Sequence, residues 1–214
     1  MLAVDGLTFG YRRTEPILED LSFEFPAGSV TAVTGASGQG KSTLLYILGL
    51  MISPQGGHIL LDSADVGGWS DRRRSELRAR RFGFVFQDAA LDASRSVIDN
   101  IIEGSLYAGL KRRVAREKAT ELMERFGVNL RSDHKPGEVS GGQAARVALC
   151  RALVTDPDVI LADEPTGNLD SKSAGVVIDA LARAAHSGAV VVVASHDQTV
   201  TQRADVVLDL DNDQ

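Results

Sequence analysis

Eight consecutive residues, Gly35-Ala36-Ser37-Gly38-Gln39-Gly40-Lys41-Ser42, have the types and spacing needed to hold a phosphate group. The glycines let backbone N–H groups turn inward around phosphate oxygens with no Cβ in the way. A helix opening at Lys41 would add its positive dipole end at the same point. In that arrangement Lys41 neutralises the β- and γ-phosphates, the Ser42 hydroxyl coordinates Mg²⁺ and Thr43 reaches the α-phosphate. The fixed positions of this pattern coincide by chance in about one chain of this length per hundred, so the flanking sequence has to decide. An apolar strand precedes the loop at residues 30–34 and an apolar helix follows at 41–48, and the combination points to ATP or GTP.

A second chemical element ends another apolar run. Residues 159–162 lead directly into Asp163-Glu164. In a parallel α/β sheet the carboxyl end of a strand lies at the same edge as the phosphate loop. A carboxylate there can hold a metal ion, and one beside it can polarise an attacking water. Asp163 is assigned to the metal and Glu164 to the general base. Taken alone, the two acids read equally well as a solvated turn before Pro165.

The elements that must carry these residues are legible from hydrophobic pattern. Residues 2–9 and 21–25 alternate apolar and polar side chains, as half-buried antiparallel strands do. Residues 30–34, 82–86, 159–162 and 190–195 are nearly continuous apolar runs, suited to strands buried on both faces of a parallel sheet. Helical patterns occupy 41–48, 97–106, 112–126, 142–154 and 171–184. The expected fold is α/β, a phosphate-loop NTPase core with a mixed, mostly parallel sheet, an N-terminal antiparallel β subdomain and an inserted helical subdomain. One domain spans 1–214, with 1–87 and 158–214 forming the ATP-binding core. The stretch from about 88 to 157, helical throughout, forms the lobe. The last strand is expected to end near Leu210.

Two further motifs select among phosphate-loop proteins. Ser140-Gly141-Gly142-Gln143 stands ahead of a helix, and Gly167-Asn168-Leu169-Asp170 follows the acidic pair. With these the chain closely resembles the ABC ATPase family over nearly its whole length. The resemblance implies that Tyr11 stacks on adenine, that Gln87 touches Mg²⁺ and the attacking water, and that His196 contacts the γ-phosphate. Without it, each of these would pass for an ordinary residue at a strand end or turn. Ser140, Gly141 and Gly142 again offer free N–H groups at a helix N-terminus. In the family that site serves the ATP held by the opposite subunit, with Asp170 in the D-loop, so a homodimer sandwiches two nucleotides. Val139 and Ala144-Ala145 depart from the usual signature, while every phosphate-facing residue is kept.

Composition sets outer limits. The chain has 214 residues, 43% hydrophobic and 24% charged, with a formal net charge of -6. That is ordinary globular composition, without the positive field that nucleic acid requires, so no nucleic-acid partner is expected. The single Cys150 cannot form an internal disulfide and reads as a packed thiol. No signal-peptide pattern opens the sequence, and its apolar runs are too short to cross a bilayer. A membrane partner would therefore supply any span.

The segment from Asp163 to Asp170, with Ala194-Ser195-His196-Asp197, is similar to the exporter-type branch that includes lipoprotein-release, macrolide, haem and antimicrobial-peptide ATPases. The resemblance implies two integral permease subunits with an extracellular domain, ATP and Mg²⁺ as cofactors, and a peripheral position on the cytoplasmic face of the inner membrane. The alternative is a regulatory ATPase of the cell-division type, which signals without transport. A DNA-repair ATPase is disfavoured, because the chain has no room for coiled-coil or zinc-bearing insertions. The arginines from Arg72 to Arg81 read as a solvated helix face. Residues 91–102 are the expected docking surface for the membrane partner.

Overall fold

The computed structural model describes residues 1–12 and 15–212. Two sheets divide the β structure. β1 (Leu2–Phe9), β2 (Leu18–Phe25), β4 (Gly56–Leu61) and β5 (Ala64–Asp65) form an antiparallel sheet in the order β2-β1-β4-β5. β6 (Phe82–Val85), β7 (Val159–Asp163), β8 (Val190–Ala194), β3 (Val30–Thr34) and β9 (Val206–Asp209) form a parallel sheet in that order. The expected architecture is present. The antiparallel sheet is wider than the first two strands alone suggest, because the glycine-rich start of β4 hides its strand character.

Register in the parallel sheet aligns the residues that matter. Asp163 pairs with Ala194, Val33 with Ala194, and Thr34 with Asp209. The carboxyl ends of β7, β8, β3 and β9 therefore finish level, and the segments that follow them emerge at one edge.

The sheet is covered on both faces, which accounts for the unbroken apolar runs. Along β7, Ile160 and Ala162 pack into one apolar cluster, with α3 (Val97–Tyr107), α4 (Arg112–Arg125), α5 (Gly141–Leu153) and α6 (Ser171–His186). Val159 and Leu161 point the other way, into a cluster with α1 (Lys41–Leu48) and the antiparallel sheet. β8 alternates in the same manner, with Val191 and Val193 on the first face and Val190, Val192 and Ala194 on the second.

Two expectations need correction. Residues 88–157 are not helical throughout: turns occupy 88–96, and short 3-10 turns lie at Asn129–Arg131 and Pro136–Glu138. Asp88, Asp92, Ser94 and Ser96 favour turns over helix interiors in the first of these, and Pro136-Gly137 interrupts the last.

The arginine-rich helix α2 (Asp71–Arg81) buries no residue, yet it is not a purely solvated face. The Arg74 side chain is only 14% exposed, Arg78 donates to the Leu50 carbonyl at 2.7 Å, and Arg81 bridges Asp158 and Asp62 at 2.5 and 2.7 Å. Guanidinium groups tie this helix down, and Leu77 adds a half-buried apolar contact with the second cluster.

Residues 91–102, the expected docking surface, combine exposed positions at 92–95 with buried ones at 97–98 and 100–102. Val97, Ile98, Ile101 and Ile102 are buried in the first cluster. The exposed apolar groove of ≈ 520 Å³ lies beside them, between Phe82, Phe84 and Phe86 of the β6 region, Arg78 of α2, Tyr107 of α3 and Arg151 of α5.

Candidate functional site

The loop after β3 turns into α1 at Gly40, whose φ of +93° is left-handed and whose added Cβ would lie 2.6 Å from the Ile17 side chain. Only glycine fits there. The Lys41 ammonium reaches back across the loop, donating to the carbonyl oxygens of Gly35 (2.7 Å) and Ala36 (2.9 Å). Gly35, Ala36, Ser37, Gly38 and Gln39 thus form a closed turn around the lysine stem, with Gln39 N–H bonded to the Ala36 carbonyl at 3.3 Å.

At the second residue of α1, the Ser42 hydroxyl donates to Asp163 Oδ1 at 2.9 Å. Tyr46, four residues on and so on the same helix face, donates to Oδ2 of the same carboxylate at 3.4 Å. Asp163 is 9% exposed, and burial pushes its carboxyl above the ordinary range. The bonds from Ser42 and Tyr46 oppose that rise, and neighbouring Glu164 adds to it. The Tyr46 phenol is likewise raised, first by its own burial and then by the Asp163 charge.

Glu164 follows in a strained backbone, with φ at +44°. Its N–H is held by the Ala194 carbonyl at 2.9 Å. One carboxylate oxygen accepts from the Ser195 hydroxyl at 3.1 Å, and the other lies 2.7 Å from His196 Nδ1. That contact raises the His196 pKa above its ordinary value. His196 itself is exposed, while the Glu164 side chain is only 14% exposed. Lys41, Ser42, Asp163, Glu164 and His196 are therefore brought to one edge, by the level ends of three parallel strands.

Tyr11 and Thr43 join this group. The Tyr11 hydroxyl lies 3.3 Å from Thr43 Oγ1; the residue is 66% exposed, and its ring is set edge-on to Phe9 at 5.2 Å. An exposed aromatic face beside a phosphate loop can stack on a base.

Gln87 sits apart from Asp163 and Glu164 in their hydrogen bonding. It lines a cleft of ≈ 230 Å³ together with Gly141, Ala144, Pro165 and Leu169.

The second motif folds as a capped helix end. Ser140 Oγ accepts from Gln143 N–H at 3.3 Å, and Gln143 Oε1 accepts from Ser140 N–H at 2.9 Å, a reciprocal capping box opening α5. Gly142 approaches α6 so closely that a Cβ would lie 2.7 Å from Ser173 Oγ. Asp170 caps α6, accepting from Lys172 and Ser173 N–H at 3.0 Å each and from Ser173 Oγ at 2.8 Å. The Ser173 bonds hold the Asp170 carboxyl below the usual range. Among the described residues, no hydrogen bond or ion pair joins Ser140, Gly141, Gly142 or Gln143 to the phosphate loop.

Sequence reasoning missed Tyr46, Ser195 and Ser173. The first could have been found from its i+4 spacing to Ser42, and the second from its place at the end of an apolar strand beside His196. Nothing in the sequence marks Ser173 except its position in the first turn of a helix.

A parallel sheet with this loop, an antiparallel β sheet and a helical lobe define the class: a phosphate-loop ATPase cassette. The chain belongs to the ABC transporter family, whose model matches residues 18–167, and it is an ATP-binding, ATP-hydrolysing subunit of that family. It is 41% identical over 97% of its length to the lipoprotein-releasing system ATP-binding protein LolD of Paramagnetospirillum magneticum, covering 93% of that protein. It is 39% identical over 91% of its length to the macrolide export ATP-binding/permease protein MacB of a Shewanella species, of which it covers 30%. The dimeric post-hydrolysis structure of the ATP-binding cassette MJ0796, bound to ADP and Pi, superposes with a TM-score of 0.89 at 28% identity. That match covers 98% of this chain and 94% of the other. The MJ0796 cassette is thus a dimer, and MacB joins an ATP-binding part to a permease.

Proposed function

We propose that this chain is the motor of an exporter-type transporter, acting on lipoproteins or macrolides through two permease subunits with an extracellular domain. The similarity to LolD and MacB supports the branch. In this reading residues 88–157 act as a helical lobe that moves against the core of 1–87 and 158–214. Two copies close around two ATP molecules. Gly35 to Ser42, with Thr43 and Tyr11, hold one nucleotide, and Ser140, Gly141, Gly142 and Gln143 of each copy complete the site of the other, with Asp170 at the interface.

Mg²⁺ fits the donor set. Ser42 Oγ and Asp163 Oδ1 are hard oxygen donors 2.9 Å apart. Among the described residues no cluster of three or more His, Cys, Asp or Glu side chains could hold an ion by itself. Mg²⁺ usually retains water and takes substrate phosphate oxygens, so a few protein donors would suffice. Ser42, Asp163 and Gln87 would hold it, and when bound it supplies charge neutralisation of the phosphate oxygens.

Glu164 takes the proton of the attacking water, and His196 orients the γ-phosphate. Both Glu164 oxygens are engaged by Ser195 and His196. One of these contacts must be exchanged for water before the base can act. The clustering of Lys41, Ser42, Asp163, Glu164 and His196 at one sheet edge, with the signature motif capped elsewhere, is the observation that carries this reading.

The groove between Phe82, Phe84, Phe86 and Tyr107 receives a helix of the permease. Among the described residues no helix is long and apolar enough to cross a membrane. Attachment at the cytoplasmic face of the inner membrane would then depend on that groove.

Glu164→Gln tests the assignment of the base. Steady-state ATPase activity should fall at least about a hundredfold, while ATP-dependent dimerisation, read by size-exclusion chromatography with light scattering, persists. Undiminished hydrolysis would remove Glu164 from this role. Copurification from native membranes, with the integral partner identified, tests the transport branch.

A further inference from the structure

The parallel pairing of β3 with β9 does not end with the strands. Thr34 is level with Asp209, and Leu210 N–H bonds to the Thr34 carbonyl at 3.1 Å. The register continues, so that Asp211 arrives beside Ala36 in the phosphate loop. Both Asp211 carboxylate oxygens accept from the Ala36 N–H, at 3.0 and 3.3 Å. The direction of the carboxylate is set locally, since Asp211 N–H donates to Asp209 Oδ1 at 3.2 Å and Asn212 Nδ2 donates to Asp209 Oδ2 at 2.6 Å.

We propose that Asp211 is a positioning residue for the nucleotide loop. It acts through the backbone of residues 35–37 and touches no reacting atom. Two groups now hold that turn: the Lys41 ammonium on the Gly35 and Ala36 carbonyls, and the Asp211 carboxylate on the Ala36 N–H. Lys41 is also the group that the phosphates recruit. When it leaves the two carbonyls for phosphate oxygens, the turn keeps the Asp211 anchor and its internal Gln39 N–H to Ala36 carbonyl bond of 3.3 Å. A charge-assisted bond to a backbone N–H is among the stronger single contacts available at an exposed site. Asp211 therefore holds the loop in its competent shape in both conditions, and the cost of ordering the loop is not charged against nucleotide affinity.

The inference rests on reading residues 35–43 as the nucleotide-binding loop, and Lys41→Ala is included to test that separately. The experiment is titration of the full chain with a fluorescent ATP analogue, alongside steady-state ATPase kinetics and thermal unfolding. Asp211→Ala should raise Kd and KM about fivefold, as the fraction of competent loop falls, with kcat within about twofold of the parent and little change in unfolding temperature without nucleotide. Asp211→Asn retains an acceptor oxygen and should recover most of the affinity.

Unchanged Kd in Asp211→Ala, with Lys41→Ala weakened, overturns the positioning role and leaves the loop reading intact. Tighter binding in both Asp211 variants also overturns it, since the carboxylate would then act by repelling phosphate. Normal affinity in Lys41→Ala overturns the loop reading itself.

Discussion

Glu164 occupies a backbone conformation that β-strand residues avoid, and its neighbours show why it is tolerated. Its N–H is tied to β8 through the Ala194 carbonyl, and its carboxylate is gripped by Ser195 and His196. The cost of a non-glycine residue in the left-handed region is on the order of 1 kcal/mol, and these contacts offset it. The His196 pairing also makes a pH prediction. His196 has a folded-state pKa above its ordinary value, so the contact stabilises the fold fully below the unfolded pKa of about 6.5. That contribution is lost as pH rises through the higher folded value. A proton NMR titration of the nucleotide-free protein should therefore find the His196 midpoint raised, and Glu164→Gln should bring it back toward the ordinary value. A midpoint unmoved by the substitution would assign the shift to some other group.

At the scale of elements, what could be read from sequence was whatever a short window encodes. The apolar runs gave the buried strands, and Gly40, Lys41 and Ser42 in sequence gave the loop, because each depends on neighbours in the chain. β4 escaped because Gly56, Gly57 and His58 carry little strand preference, whereas α2, which has no apolar stripe, is legible only as a charged helix face. Contacts fixed by strand register were beyond reach. Ser195 meets Glu164 across 31 residues and Asp211 meets Ala36 across 175, and neither separation leaves a local trace.

The signature helix shows the same division, since Ser140 followed by Gln143 is a readable capping box, whereas the packing of Gly142 on Ser173 is not. Loss of that cap is measurable. Ser140→Ala should destabilise the chain by about 1 kcal/mol, seen as a lower denaturant midpoint with an unchanged slope. An unaltered midpoint would mean that α5 is held by its packing alone.

Across the whole molecule, two apolar clusters share one sheet as their common wall, and Cys150 lies fully buried in one of them. Burial pushes its thiol up to about 12, and the nucleophile is the thiolate. A thiol reagent at about pH 8, near the ordinary thiol pKa of about 8.5, should leave the native chain unlabelled and modify it only as the helical cluster opens. Labelling should therefore track global unfolding measured by circular dichroism. Rapid labelling under native conditions would show that α5 separates from the sheet on its own.

The level strand ends carry a consequence for how such a protein can be altered. Asp163, the Ser195-His196 pair, the phosphate loop and Asp211 are set against one another by register, which is indifferent to the length of chain connecting one strand to the next. Turns on the far side of the sheet and between the helices can lengthen, shorten or accept a grafted segment without shifting the alignment of these groups. A one-residue slip of a single strand would instead carry its site residue out of reach and turn its buried side chains to the opposite face. Substitutions and insertions thus divide into two kinds, those that preserve strand register and those that do not, and only the second kind can dismantle the site from a distance.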